Sequence, residues 1–148
     1  MTVDESLQGV IRLSLDTAPI IYFVEANPAY VDVCRAVFRR VSDGSITAHT
    51  SAVTLTETLV LPLRTQNTVL EAEYRDLLLN TNGVVILPVD AAVAERAADL
   101  RARYNLKTPD ALQVATAVAA GCEALLTNDA GLRRVAEVRM LVLSELTA

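Results

Sequence analysis

Five short apolar runs punctuate the chain: Ile11–Leu15, Ile46–Thr50, Val84–Leu87, Ala124–Thr127 and Val138–Leu143. Each is too short for a helix and is bounded by polar or turn residues, which predicts buried strands. Between the runs the apolar period changes. Tyr30, Val33, Cys34, Val37, Phe38 and Val41 recur at helical spacing, and Asp43-Gly44 closes that element. Thr17 to Glu25 predicts a short helix, with Pro19 tolerated in its first turn. Helices are also predicted over Ser51–Leu61, with Pro62 near its end, over Thr65–Leu79, stopped by Asn80-Thr81-Asn82-Gly83, and over Ala91–Tyr104. Thr108-Pro109 is a helix-start signal for an element running to Ala120 and ended by Gly121. Asn128-Asp129 opens a short helix reaching Val135. Strands alternating with helices predict an α/β fold: one domain over residues 1–148, with a parallel sheet of about five strands and helices on both faces.

Composition sharpens this picture. A chain of 148 residues can bury about two-thirds of its unfolded surface without a covalent staple. At 52% hydrophobic and 21% charged, disorder and collagen-like structure are excluded. Aromatics are only 4% and Trp is absent, so the core must be built from Ala, Val, Leu and Ile. The longest charge-free stretches, Gly44–Thr56 and Leu77–Val89, are thirteen residues each. A membrane span needs about 20, so none is expected. Met1–Gly9 carries Asp4 and Glu5 and no basic region, so no secretory signal is expected either. Cys34 and Cys122 make neither a metal-type pair nor a disulfide framework, and read as free thiols in a reducing cytoplasm.

The net charge of −5 argues against a protein that simply coats nucleic acid. It leaves room for an enzyme whose carboxylates hold divalent cations that meet phosphates. In open parallel sheets, ligands bind beyond the carboxyl ends of the strands, near the point where strand order reverses. The acids that follow strands are therefore the candidates. Asp16 follows the first strand and Asp129 follows Leu125-Leu126-Thr127; Glu57 and Asp110 lie in the first turns of helices. Each also has an ordinary structural role available. Asp16 and Asp129 can cap helices, and Thr54-Leu55-Thr56-Glu57 matches a capping box. Asp110 sits where a helix dipole favours an anion, and Asp90 is best read as a plain N-cap before Ala91. Taken together the acids ask for more, because Ser or Thr would cap nearly as well without gathering negative charge. Four converging carboxylates repel one another, and a bound divalent cation is the usual compensation. The single His, His49, rules out a ribonuclease built on two His residues and reads as incidental.

Four segments in chain order carry a resemblance. They are Leu15-Asp16-Thr17-Ala18-Pro19-Ile20-Ile21-Tyr22, then Glu57 after Ser51–Thr56, then Thr108-Pro109-Asp110-Ala111-Leu112-Gln113-Val114-Ala115-Thr116-Ala117, then Leu125-Leu126-Thr127-Asn128-Asp129. Their succession resembles the PIN-domain family and, within it, the VapC-type toxins of bacterial toxin–antitoxin pairs. The resemblance implies a divalent-metal-dependent endoribonuclease that cleaves RNA phosphodiesters with a metal-activated water. It implies Asp16, Glu57, Asp110 and Asp129 as the catalytic acids and ligands of Mg²⁺ or Mn²⁺, with Thr127 supporting them. Ala18 departs from the pattern, since many members carry a small polar residue there.

Arg133, Arg134 and Lys107 are the basic residues placed to meet an RNA backbone, with a solvated helix face as the ordinary alternative. By resemblance an antitoxin protein and a homodimer are expected, and the face of Tyr30–Val41 beside Arg39-Arg40 can contribute to a peptide-binding groove or simply to the core. Three other readings compete: a catalytically silent PIN-like interaction scaffold, a housekeeping RNA-processing nuclease, and a phospho-acceptor receiver domain. The last lacks adjacent acids at the first strand end and a Lys late in the chain.

Overall fold

The predicted strands form because their apolar residues alternate between two buried faces. In the computed structural model, which describes residues 1–148, the order is α1 (Val3–Ser6), β1 (Arg12–Leu15), α2 (Thr17–Val24), α3 (Val31–Ser42), β2 (Thr47–Ser51), α4 (Ala52–Arg64), α5 (Thr68–Asn80), β3 (Val84–Leu87), α6 (Ala91–Tyr104), α7 (Thr108–Ala119), β4 (Ala124–Thr127) and β5 (Arg139–Val142). Single 3-10 turns cover Ala130–Arg134 and Leu143–Glu145. All strand pairs are parallel, in the spatial order β3-β2-β1-β4-β5. The chain winds outward from β1 through β2 to β3, then returns to β4 on the other side of β1. Strand order therefore reverses between β1 and β4.

Each face of the sheet has its own core. Leu13, Leu15, Ala48, Ala124 and Leu126 point to one face, where they pack with Ile20 of α2, with Val33, Cys34, Val37, Phe38 and Val41 of α3, and with Tyr74 and Leu78 of α5. Leu125 points to the other, where α6 and α7 cover it with Val93, Ala97, Leu100, Ala111, Val114, Ala115 and Ala117. The apolar face of α3 is thus core. The small residues of α7 let it lie close against the sheet. Cys34 is buried and Cys122 half-buried; both are free, with burial pushing each thiol up to about 12. No helix is long and apolar enough to cross a membrane.

Several boundaries differ from the sequence reading. The four-residue helix α1 was not expected. It is held by a capping box between Thr2 and Glu5 and by a bridge from Thr2 to Thr147 near the other terminus. The proposed box at Thr54 and Glu57 is absent. β2 runs straight into α4, Ser51 is the N-cap, and Thr54 falls on the buried side of the helix. Pro62 lies inside α4, which continues to Arg64, and α5 begins at Thr68 rather than Thr65. The short helix expected after Asp129 is a 3-10 helix over Ala130–Arg134, capped by Asp129. Asp90 caps α6 as expected, accepting from Val93 N–H at 2.9 Å.

Candidate active site

Asp16 is the residue at which β1 becomes α2. Its N–H donates to the Leu126 carbonyl of β4 at 2.9 Å, so the backbone fixes it at the reversal point. Its two carboxylate oxygens are both engaged. Oδ1 accepts the Thr17 N–H at 2.8 Å, and Oδ2 accepts the hydroxyl of fully buried Thr127 at 2.8 Å. Thr127 Oγ1 also accepts the Asp129 N–H at 3.1 Å, which ties the acid after β1 to the acid after β4. Asp129 in turn caps the 3-10 turn through Oδ1 and the Gly131 N–H at 2.8 Å. A Cβ at Gly131 would stand 3.0 Å from that oxygen, so glycine gives the carboxylate its room.

Glu57 reaches the same place from α4. Its Oε1 accepts the Thr17 hydroxyl at 2.7 Å. Asp110 enters from the first turn of α7 and is half-buried; no hydrogen bond restrains its carboxylate. Two strand ends and two helices thus bring Asp16, Glu57, Asp110 and Asp129 to one end of the sheet. Their proximity is visible in their electrostatics. Burial pushes the Asp16 carboxyl above its usual range, the Thr127 and Thr17 hydrogen bonds oppose the shift, and the charges of Glu57 and Asp129 add to it. Burial likewise raises Asp110, followed by repulsion from Asp16 and Asp129, while Lys107 opposes.

None of these four carboxylates makes a salt bridge, although Asp4, Asp32, Glu71, Asp99, Glu137 and Glu145 all do. The site gathers anionic charge that the protein does not neutralise. Carboxylate oxygen is the donor that Mg²⁺ and Mn²⁺ prefer, so the donor set fits a hard divalent cation. No three acidic, His or Cys side chains are drawn together as a ready-made chelate.

The basic residues fall differently. Arg133 pairs with Glu145, and Arg134 donates to the carbonyls of Gly131 and of Tyr104, the latter at 2.8 Å. Both guanidiniums are engaged within the protein. Lys107, exposed at the start of α7, makes no ion pair and lies within electrostatic reach of Asp110. His49 has both ring nitrogens unpartnered inside the sheet, away from the acids, and burial lowers its pKa. Three residues beside the acids escaped the sequence reading: Thr17, Thr54 and Gln113. Gln113 follows Asp110 by three positions, the spacing that puts two side chains on one helix face, and that spacing is the signal that could have found it.

The carboxylates gather at the switch point of a doubly wound parallel sheet, the place where open α/β sheets bind their ligands. The PIN domain sequence profile matches residues 13–138, and the chain belongs to the PIN domain family. Solved structures share the fold at low identity. VapBC2 of Rickettsia felis, bound to a DNA fragment from its promoter, matches with TM-score 0.70 and 16% identity over 89% of this chain and 98% of that one. A toxin–antitoxin complex of Klebsiella pneumoniae matches with TM-score 0.65 and 23% identity over 85% and 94%. VapC20 of Mycobacterium tuberculosis, a toxin that cleaves the sarcin–ricin loop, matches with TM-score 0.65 and 21% identity over 86% and 98%. No curated protein sequence matches the chain.

Proposed function

We propose that this PIN domain is a divalent-metal-dependent endoribonuclease and the toxin of a type II toxin–antitoxin pair. The observation that carries the catalytic reading is the set of four carboxylates at the sheet's switch point with no basic partner. The toxin reading draws on the fold, shared with proteins crystallised as toxin–antitoxin complexes. Asp16 and Asp110 are the main ligands for Mg²⁺ or Mn²⁺, with Glu57 and Asp129 binding directly or through water. A bound cation there supplies Lewis-acid activation of the phosphodiester and of a water.

The chain's own residues do the rest. Thr127 and the Thr17 N–H hold the Asp16 carboxylate in one orientation, so it need not be ordered when the site fills. Asp110, unrestrained, supplies the adjustable ligand. Lys107 is the free cation beside the acids and meets the RNA backbone. Arg133 and Arg134 contribute to that surface only if they leave their present partners. On the same reading an antitoxin protein is its partner, the cytoplasm its place of action and a homodimer its working form.

The test is cleavage of structured RNAs by purified protein with Mn²⁺ or Mg²⁺, against EDTA and against Asp16→Asn matched for thermal stability. Metal-dependent cleavage that the variant lacks is expected. Equal inertness of both proteins, with no metal bound by calorimetry, overturns the nuclease reading in favour of a silent scaffold.

A further inference from the structure

Glu57 sits at the end of a line of buried polar groups. Its Oε1 accepts the Thr17 hydroxyl at 2.7 Å. Thr17 Oγ1 lies 3.2 Å from Thr54 Oγ1 and 3.3 Å from Gln113 Nε2. Gln113 Nε2 donates to Thr54 Oγ1 at 2.7 Å. Thr50 Oγ1 lies 2.8 Å from both Thr54 Oγ1 and the Leu15 carbonyl, the last carbonyl of β1. Thr50, Thr54 and Gln113 are all fully buried, with Gln113 only 1% exposed.

The carboxylate sets the direction of this line. An ionised Glu57 only accepts, so the Thr17 proton points at it. The Thr17 oxygen must then receive protons, and Thr54 and the Gln113 amide supply them. That fixes the amide with Nε2 toward the threonines. The other end, Oε1, is buried with no partner. A buried amide with an unpaired oxygen costs stability, and a Leu or Met of similar volume would pack against the sheet without that cost. Packing therefore gives no reason for Gln113; donation into the line does.

We infer that Gln113 is a positioning residue: through Thr54 and Thr17 it holds the Glu57 carboxylate in one orientation beside Asp16. Aligned donors strengthen one another in a low-dielectric interior, so the Thr17–Glu57 contact depends on the buried amide two links away. The functional consequence rests on the nuclease reading above. Outer groups of this kind orient ligands before a cation arrives, and their loss typically weakens metal binding or activity by roughly 10–100-fold.

The experiment uses the full chain with Gln113→Leu, Gln113→Met, Thr17→Val and Thr17→Ser, each checked for folding by its thermal transition. Thr17→Val keeps the backbone N–H on Asp16 and removes only the hydroxyl. The first readout is the Glu57 χ1 rotamer in metal-free protein, from scalar couplings. One rotamer is expected in wild type and Thr17→Ser, and averaging in Thr17→Val and in both Gln113 variants. The second readout is Mn²⁺ affinity and RNA cleavage: about tenfold or greater weakening of Mn²⁺ binding, and a fall in kcat with KM unchanged. The Thr17→Val/Gln113→Leu double variant should be no worse than Thr17→Val alone, because both act through one line. A fixed Glu57 rotamer in the folded Gln113 variants, or additive losses in the double variant, overturns the inference. If wild type neither binds Mn²⁺ nor cleaves RNA, the nuclease reading fails, and the rotamer alone decides this one.

Discussion

Asp110 is the least supported residue of the acidic site. It is half-buried, accepts no hydrogen bond and faces the charges of Asp16 and Asp129. Its carboxyl is raised in the folded chain, so its ionised form opposes folding at neutral pH. Asp110→Asn removes that opposition without orphaning a donor. The metal-free variant should therefore melt a few degrees higher than wild type, given the roughly 2–4 °C per kcal/mol typical of chains of this size. RNA cleavage should fall by more than about 100-fold, beyond the loss typical of outer-shell changes. Calorimetric melting in EDTA paired with a cleavage assay checks both, and a lower melting temperature sinks the electrostatic account. Such opposition between stability and activity marks residues placed for function. Asp16, Asp110 and Asp129 stood out in the sequence because each follows a strand or opens a helix; Glu57, expected in a first turn, lies one turn further along α4. Gln113 did not stand out, because a single amide in an Ala-rich helix looks like surface until the helix is docked and its face is known.

At the scale of elements, the site depends on where β1 begins and ends. Its end is fixed by the Asp16 N–H on Leu126. Its start is fixed by Glu123, whose Oε1 accepts the N–H groups of Ile11 at 2.6 Å and Arg12 at 2.7 Å. Those two bonds, that to Arg12 foremost, hold the Glu123 carboxyl below its usual range. A lowered folded pKa contributes stability above the unfolded value, near 4.3, that is lost as pH falls through the folded value. Glu123→Ala should thus destabilise at pH 7 by on the order of 1 kcal/mol, as exposed hydrogen bonds do. The gap from wild type should narrow as the pH falls through the Glu123 pKa. Chemical denaturation along a pH series reads it, and a gap constant with pH refutes the linkage. The strands themselves were legible because their apolar-rich runs are short and bounded by polar or turn residues. The capping box at Thr54 and Glu57 does not form because Ser51 ends β2 and caps α4 at once, which puts Thr54 inside the helix. Helix α1 was invisible because four residues show no period, and a partner near the other terminus holds it.

The whole molecule balances two groups of carboxyls with opposite pH behaviour. Glu123 and Glu137 are held low, the first by the backbone N–H groups of Arg12 and Ile11, the second by hydrogen bonds from Tyr104 and then Arg103. Their contribution is present above the usual carboxylate range and disappears below it. Asp16 and Asp110 are raised, chiefly by burial. Their ionised forms cost stability at neutral pH, and the cost is relieved as pH falls through their raised values. Between the two windows the metal-free protein should be at its most stable, on the acid side of neutral and above the ordinary carboxyl range. A divalent cation that binds the folded site alone acts at the other end of the scale. At 100 times its dissociation constant it stabilises by about 2.7 kcal/mol. Melting in EDTA should therefore peak below pH 7, and Mg²⁺ should raise the transition at pH 7.5 by several degrees. That gain should shrink toward pH 5, where protons compete for Asp16 and Asp110. A transition in EDTA that falls steadily from pH 7.5 to pH 5, or a Mg²⁺ gain equal at both, would mean that the cluster's charge is not what limits the empty fold. The four acids would then be ordinary caps gathered at one end of the sheet.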